Sequence, residues 1–260
     1  MKHYCLPILA GVAIAAAASM AQAQDYPTRQ ITLIAPWPAG GAVDALCRAV
    51  APHLSDRLGK SVVVENRPGA GSVIGTAAGA KAAPDGYTMV MAGSGSLAIS
   101  ATMYKKLPYD PIKDLVPIAL GAKIPFVLVV NPSLPVRSVA ELVQYAKDNP
   151  GRALGVSTAV RLPAAPDIPP IAEAGVPGFD AAGWGVFAMP AGTPKEVVGR
   201  LQAALAEVLA LPDVQQQIIK LGMIPGSTSS PEELEPFIAS EIARWGKVVT
   251  QAGLAGTSSA

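Results

Sequence analysis

An α/β fold with a mostly parallel sheet follows from three features of the 260-residue chain. Short apolar runs rich in β-branched residues alternate with longer stretches whose apolar positions recur every three or four residues. Glycine and proline close most of those short runs, as they close strands. Strands that alternate regularly with helices pair in parallel, with the helices packed on the faces. The chain is long enough for one large domain or for two lobes with real cores.

The first residues stand apart from this pattern. Lys2 and His3 open the chain, residues 6–20 are apolar and alanine-rich, and Ala21-Gln22-Ala23 is a small-x-small cleavage site. Residues 1–23 therefore read as a secretory signal peptide, cut after Ala23, with a bacterial periplasm as the destination. Without Lys2 the mature chain has 19 basic and 19 acidic residues and no basic stripe, which argues against nucleic acid or an anionic membrane as partner. No later apolar run is long enough to span a bilayer; residues 118–130 are broken by Lys123 and Pro125, so no membrane insertion is expected after cleavage. Cys5 leaves with the leader, and Cys47 then stands alone as a small core residue.

Residues 31–35 form the first expected strand, stopped by Pro36-Trp37-Pro38-Ala39-Gly40-Gly41. After the glycines Val43, Leu46, Val50, Leu54 and Leu58 mark one face of a helix, which Pro52 should kink or split. A strand, a tight Gly-rich loop and a helix N-terminus gather unpaired backbone N–H groups and the positive end of the helix dipole at one spot. A carboxylate or phosphate suits that spot, unless the stretch is an ordinary strand-to-helix connection. Residues 61–65 read as a second strand. The glycines after it are spaced G-x-G-x-x-x-G, one residue too many for a dinucleotide fingerprint. A short helix over 77–83 ends at the turn Pro84-Asp85-Gly86, and residues 87–92 are a third strand. Ser94-Gly95-Ser96 follows, with a helix from Leu97; the two hydroxyls either donate to an anion or cap that helix.

Residues 104–117 read as a loop, 126–130 as a fourth strand and 153–158 as a weaker fifth. Between these strands a capping box at Ser138-Val139-Ala140-Glu141 opens a helix running to about Asn149. A Pro-rich stretch over 163–177 precedes a further strand at 184–188. Thr193-Pro194-Lys195-Glu196 is a second capping box with proline at the first helical position. Helices over 212–221 and from Ser230 to just before Gly253 complete the chain.

Several motifs, in order, resemble the substrate-binding receptors of tripartite tricarboxylate transporters, the Bug or TctC family. They are Tyr26-Pro27, Pro36-Trp37-Pro38-Ala39-Gly40-Gly41 with Asp44, Val64-Glu65-Asn66-Arg67-Pro68-Gly69-Ala70-Gly71, and Ala83-Pro84-Asp85-Gly86-Tyr87. Leu107-Pro108-Tyr109-Asp110-Pro111, Leu128-Val129-Val130-Asn131-Pro132-Ser133-Leu134-Pro135 and Pro190-Ala191-Gly192-Thr193-Pro194 follow. The resemblance implies a type II-like periplasmic-binding-protein fold that closes like a Venus flytrap. Residues 24–122 and 187–260 would form the first lobe and 123–186 the second. It implies a monomer without a cofactor or metal, holding a small carboxylated ligand for membrane transporter subunits. Ligand contacts would come from Trp37, Pro38, Ala39, Gly40, Gly41 and Asp44, from Ser94, Gly95 and Ser96, and from Trp184, which lies where the family often has an aromatic near the cleft.

One departure from the family is large. Asn149-Pro150-Gly151-Arg152 runs straight into Ala153-Leu154-Gly155-Val156, which resembles a much later strand of the family. A block of several dozen residues is missing, and with it much of the second lobe. So small a lobe buries too little apolar surface to be rigid, so weak binding and low hydrogen-exchange protection are expected over 132–177. The readings that remain are a transport receptor, a vestigial or partner-sensing relative without tight ligand binding, and, least supported, an enzyme. Against an enzyme, the mature chain's one histidine, His53, lies six residues from Cys47, about 120° around an ideal helix, and no G-x-S-x-G or metal-ligand spacing occurs.

Overall fold

The computed structural model describes residues 26–126, 130, 132–138, 141–142, 144–145, 157, 160, 170–173, 177–226 and 230–258. The expected signal peptide, most of the expected strands at 126–130 and 153–158, and most of the stretch 132–177 lie outside them.

The chain runs β1 (Ile31–Ala35), α1 (Ala42–Leu58), β2 (Val62–Asn66), a 3-10 turn (Ala70–Ser72), α2 (Val73–Ala80), β3 (Thr88–Gly93), a π turn (Gly95–Ile99) and α3 (Ser100–Met103). It continues through β4 (Leu115–Ile124), β5 (Gly183–Pro190), α4 (Lys195–Leu209), α5 (Pro212–Lys220), β6 (Ile224–Pro225) and α6 (Pro231–Gln251). The six strands form one sheet in the order β2-β1-β3-β5-β4-β6. The pairs β1–β2 and β1–β3 are parallel, whereas β3–β5, β4–β5 and β4–β6 are antiparallel, so the sheet is mixed.

Strand alternation sends side chains to two cores, one on each face. Leu33, Met89, Met91, Phe187 and Met189 meet α1, α4 and α5 through Leu46, Val50, Leu54, Leu201, Leu205 and Ile218. Ile34, Val90, Ala92, Trp184, Val186 and Ala188 meet α2 and α6 through Val73, Ala77, Leu234 and Ile238. Both faces being covered explains why the strands read as continuous apolar runs.

Four expectations are corrected. α1 is a single unbroken helix despite Pro52. That proline is exposed, so the carbonyl of Arg48 that it leaves without a partner is on the wet side of the helix. α2 begins four residues before the expected start at Ala77, taking in Gly75, and ends at Ala80 rather than Ala83. Gly79 permits close packing: a Cβ there would lie 2.6 Å from the Val90 side chain. β4 was not expected: it joins the last three residues of the expected loop, 115–117, to the apolar run after them, and its register shifts twice around Pro117 and Gly121. Thr193 does not form a capping box: its hydroxyl donates to the Pro190 carbonyl, and Pro194 stands just before the helix. The capping box at Ser230 and Glu233 is present, with both hydrogen bonds made.

Candidate functional site

The register brings the carboxyl ends of β1, β2 and β3 side by side at Ala35, Asn66 and Gly93. At the same edge β5 begins and β4 ends, with Ile124 opposite Gly183. Loops leaving the carboxyl ends of parallel strands form the usual ligand crevice of an open α/β sheet.

The first loop enters the 17-residue helix α1. Trp37 is half-buried, and Pro38, Ala39, Gly40 and Gly41 are exposed. Gly40 has φ +80°, a left-handed conformation that side chains with a Cβ rarely take, and Gly41 N donates to the Pro38 carbonyl at 3.3 Å. The first-turn N–H groups of α1 have no carbonyl four residues earlier inside the helix.

Asp44 is only 2% exposed and lies beneath that loop. Its Oδ2 accepts from Gly40 N at 2.9 Å and Arg48 Nε at 3.0 Å, and its Oδ1 accepts from Asn66 Nδ2 at 2.8 Å. Asn66 also donates to the Trp37 carbonyl and accepts from Arg48. Burial pushes the Asp44 carboxyl up, but the bonds from Arg48, Gly40 and Asn66 and the Arg48 charge outweigh it, lowering the pKa to about 2. Asp44 thus fixes the loop's shape from below, and its oxygens face protein donors. Asn66 and Arg48 belong to this brace and were not expected there. The one available signal was a polar residue at the end of a β-branched strand, 22 residues after Asp44, and it places Asn66 only once β2 is paired with β1.

The second and third loops abut. Gly69, Ala70, Gly71 and Ser72 all have positive φ, including two residues that are not glycine. A Cβ on Gly95 would lie 3.7 Å from the Gly71 carbonyl. Ser94 and Gly95 are half-buried at this junction. Ser96 is fully buried; its hydroxyl accepts from Thr76 Oγ1 at 3.0 Å and lies 3.3 Å from the Gly93 carbonyl. It braces the turn, and neither of its expected roles, anion donor or helix cap, fits that placement.

Trp184 is 3% exposed and points to the α6 face, where its ring meets Phe237 edge-on. Its Nε1 donates to Glu241 Oε2 at 2.8 Å, and the same carboxylate accepts from Trp245 Nε1 at 3.1 Å and Arg244 at 3.1 Å. Only the Trp184 carbonyl comes near the loops, 2.9 Å from where a Gly93 Cβ would sit. The structure therefore gathers Trp37 to Gly41 with Ser94 and Gly95, and sets Asp44, Ser96 and the Trp184 ring behind them.

Cys47 is fully buried, and desolvation, reinforced by the nearby Asp44 charge, pushes its thiol up to about 12, which suits a core residue rather than a nucleophile. His53 Nε2 lies 3.3 Å from Asp213 Oδ2. Among the described residues no cluster of His, Cys, Asp and Glu could hold a metal, and no helix is long and apolar enough to cross a membrane.

The sequence model for the tripartite tricarboxylate transporter family receptor matches residues 46–153 and 152–254. The two matches meet at Arg152 and Ala153, where the order of motifs placed the missing block. A UPF0065 protein from the tcbD-tcbE intergenic region of a Pseudomonas species is 33% identical over 316 residues, covering 94% of this chain and 93% of its own. That alignment is 56 positions longer than the 260-residue chain, so at least that many of the relative's residues lie opposite nothing here. Among solved structures, an R. palustris protein with adipate superposes with a TM-score of 0.80 at 32% identity, covering 89% of this chain and 99% of the other. The periplasmic binding protein BugD gives a TM-score of 0.78 at 26% identity over 88% and 99%.

Proposed function

Because the chain belongs to the family of tripartite tricarboxylate transporter receptors, we propose that it captures a small organic acid in the periplasm and passes it to membrane subunits of that transporter type. The observation that carries this reading is the exposed backbone of Ala39, Gly40 and Gly41 at the N-terminus of α1, pinned from below by Asp44. The Gly40 and Gly41 N–H groups are taken up by Asp44 and by the Pro38 carbonyl, so what favours a carboxylate here without a basic side chain is the positive end of the α1 dipole behind an open approach. The adipate carried by the R. palustris relative supports an acid as the guest. Contacts come from Trp37, Pro38, Ala39, Gly40 and Gly41, with Ser94 and Gly95 beside them. Residues 24–122 and 187–260 act as one lobe, and residues 123–186 as a second, shortened lobe that closes over the ligand. The protein works as a monomer without a cofactor, and it is a binding protein rather than an enzyme.

The missing block favours a second reading, in which the receptor binds acids weakly or has given up tight binding. Calorimetry of the mature protein against a panel of organic acids is expected to give dissociation constants no tighter than roughly 0.1 mM, about 5.5 kcal/mol. A micromolar ligand would show that the shortened lobe still encloses its guest fully. No heat with any acid at millimolar concentrations would favour the second reading. For localisation, mass spectrometry of the periplasmic fraction is expected to find an N-terminus at Gln24. Intact Met1 on a cytoplasmic protein would overturn export.

A further inference from the structure

The loop between β2 and α2 holds a hydroxyl that the fold does not use. Ser72 occupies the position just before α2, where a serine normally caps its helix. Capping needs extended backbone there, whereas Ser72 has φ +77° and ψ 0°, and no capping hydrogen bond is made. Ser72 is only 7% exposed, yet its hydroxyl takes no hydrogen-bond partner among the described residues. Among those residues no fully buried side-chain nitrogen or oxygen lacks a partner, so the Ser72 oxygen itself reaches the surface. A hydroxyl so placed lies at the bottom of a recess rather than on an open face.

The loops of the candidate site bound that recess. Ala70 and Gly71 before Ser72 and Ile74 after it are exposed, so Ser72 is on the inward side of its loop. Gly75, three residues on, has no room for a side chain, because a Cβ there would lie 2.5 Å from the Cβ of Pro36. Pro36 leads directly into Trp37 and the Gly40 turn. On the other side, the Gly71 carbonyl lies 3.7 Å from where a Gly95 Cβ would be. Ser72 therefore stands between the first loop and the third, at the carboxyl edge of β1 and β3. The first two N–H groups of α2 are engaged: Val73 donates to the Ala70 carbonyl, and Ile74 to the Gly69 carbonyl at 3.5 Å. The hydroxyl, with the positive end of the α2 dipole behind it, is free to donate.

We propose that Ser72 is a further ligand contact of this receptor, its hydroxyl donating to an oxygen of the acid whose carboxylate sits at Ala39 to Gly41. This rests on the carboxylate site of the preceding subsection. At φ +77° a serine is strained where a glycine is not, so the fold alone would be better served by glycine. A hydrogen bond from the hydroxyl to a bound acid gives the strained serine a use. The contact lies among the loops after β1, β2 and β3, and so does not depend on the shortened stretch after Ile124.

The test compares Ser72→Gly and Ser72→Ala with the unaltered mature protein, by calorimetry with adipate, citrate and benzoate and by thermal unfolding without ligand. Ser72→Gly removes the hydroxyl and the strain together, whereas Ser72→Ala removes the hydroxyl and keeps the strain. Both variants are expected to bind whichever of the three acids the unaltered protein holds best about tenfold more weakly, the effect of losing one hydrogen bond to a charged oxygen. The unfolding midpoint of Ser72→Gly is expected to rise by about 2 °C, and that of Ser72→Ala to stay where it was. Weaker binding without a lowered midpoint marks a contact with the guest. Unchanged affinity in either variant, or a midpoint lowered in both together with the affinity, overturns this inference and leaves the receptor reading standing; the hydroxyl would then be idle or would hold the loop. Failure of all three acids to bind the unaltered protein at millimolar concentrations overturns both.

Discussion

Gly40→Val is expected to abolish carboxylate binding while leaving the circular dichroism spectrum nearly unchanged. At φ +80° a β-branched residue is a conformational outlier, at a penalty of about 1–3 kcal/mol. No atom lies within 4 Å of where the new Cβ would be, so the fold itself meets no clash. The variant relieves its strain by rotating the peptide, and the peptide N–H is the one now held by Asp44 at 2.9 Å. The added isopropyl group also fills the open approach to the loop. Titration with the acid bound best by the unaltered protein checks this, and unaltered affinity would sink the assignment of the site.

Asp44→Ala is expected to be the most destabilising single change at the site, by about 3 kcal/mol, because it strips a buried acceptor from three donors at once. Arg48 is half-exposed and can turn to water, but the Gly40 amide and the Asn66 side chain lose their buried partner. For a chain of this size, the midpoint of thermal unfolding should fall by about 6–12 °C. The sign of the pH effect follows from the lowered carboxyl pKa of about 2 against the ordinary 3.8. Asp44 contributes its full stabilisation above pH 3.8 and loses it as pH falls through 2. The unaltered protein should therefore lose stability over that window more steeply than Asp44→Ala. Parallel profiles for the two proteins would mean that the carboxylate does not hold the loop.

The first loop was legible because its signal is local. A β-branched run, two prolines, two glycines and a switch to helical period occupy 28 consecutive positions, and the structure has β1 and α1 at the two ends of that stretch, with the prolines and glycines between them. The brace beneath the loop was not legible, since Asp44 and Asn66 meet only when β2 pairs with β1. Trp184 was misjudged for a similar reason. Its position in the chain puts its backbone near the loops, but strand alternation turns its ring to the other face, where Glu241 sits 57 residues away in sequence. β4 escaped because a strand covered on both faces has no alternation to detect, and its proline and glycine look like loop residues. The antiparallel half of the sheet escaped with it, because β5 returns only after the long excursion between residues 124 and 183.

The carboxylate of Glu241 has an optical consequence. The chain contains three tryptophans, and two of them, Trp184 and Trp245, donate their indole N–H to this one acceptor on α6. Their surroundings belong to the packed side of the sheet and do not include the loops that meet a guest. Trp37 alone carries its indole at the rim of the site, over Gly93. Emission from this protein therefore divides into a constant background from two anchored chromophores and a variable signal from one. A shift in colour or intensity on adding an acid reports arrival at Trp37, with no dye or label attached.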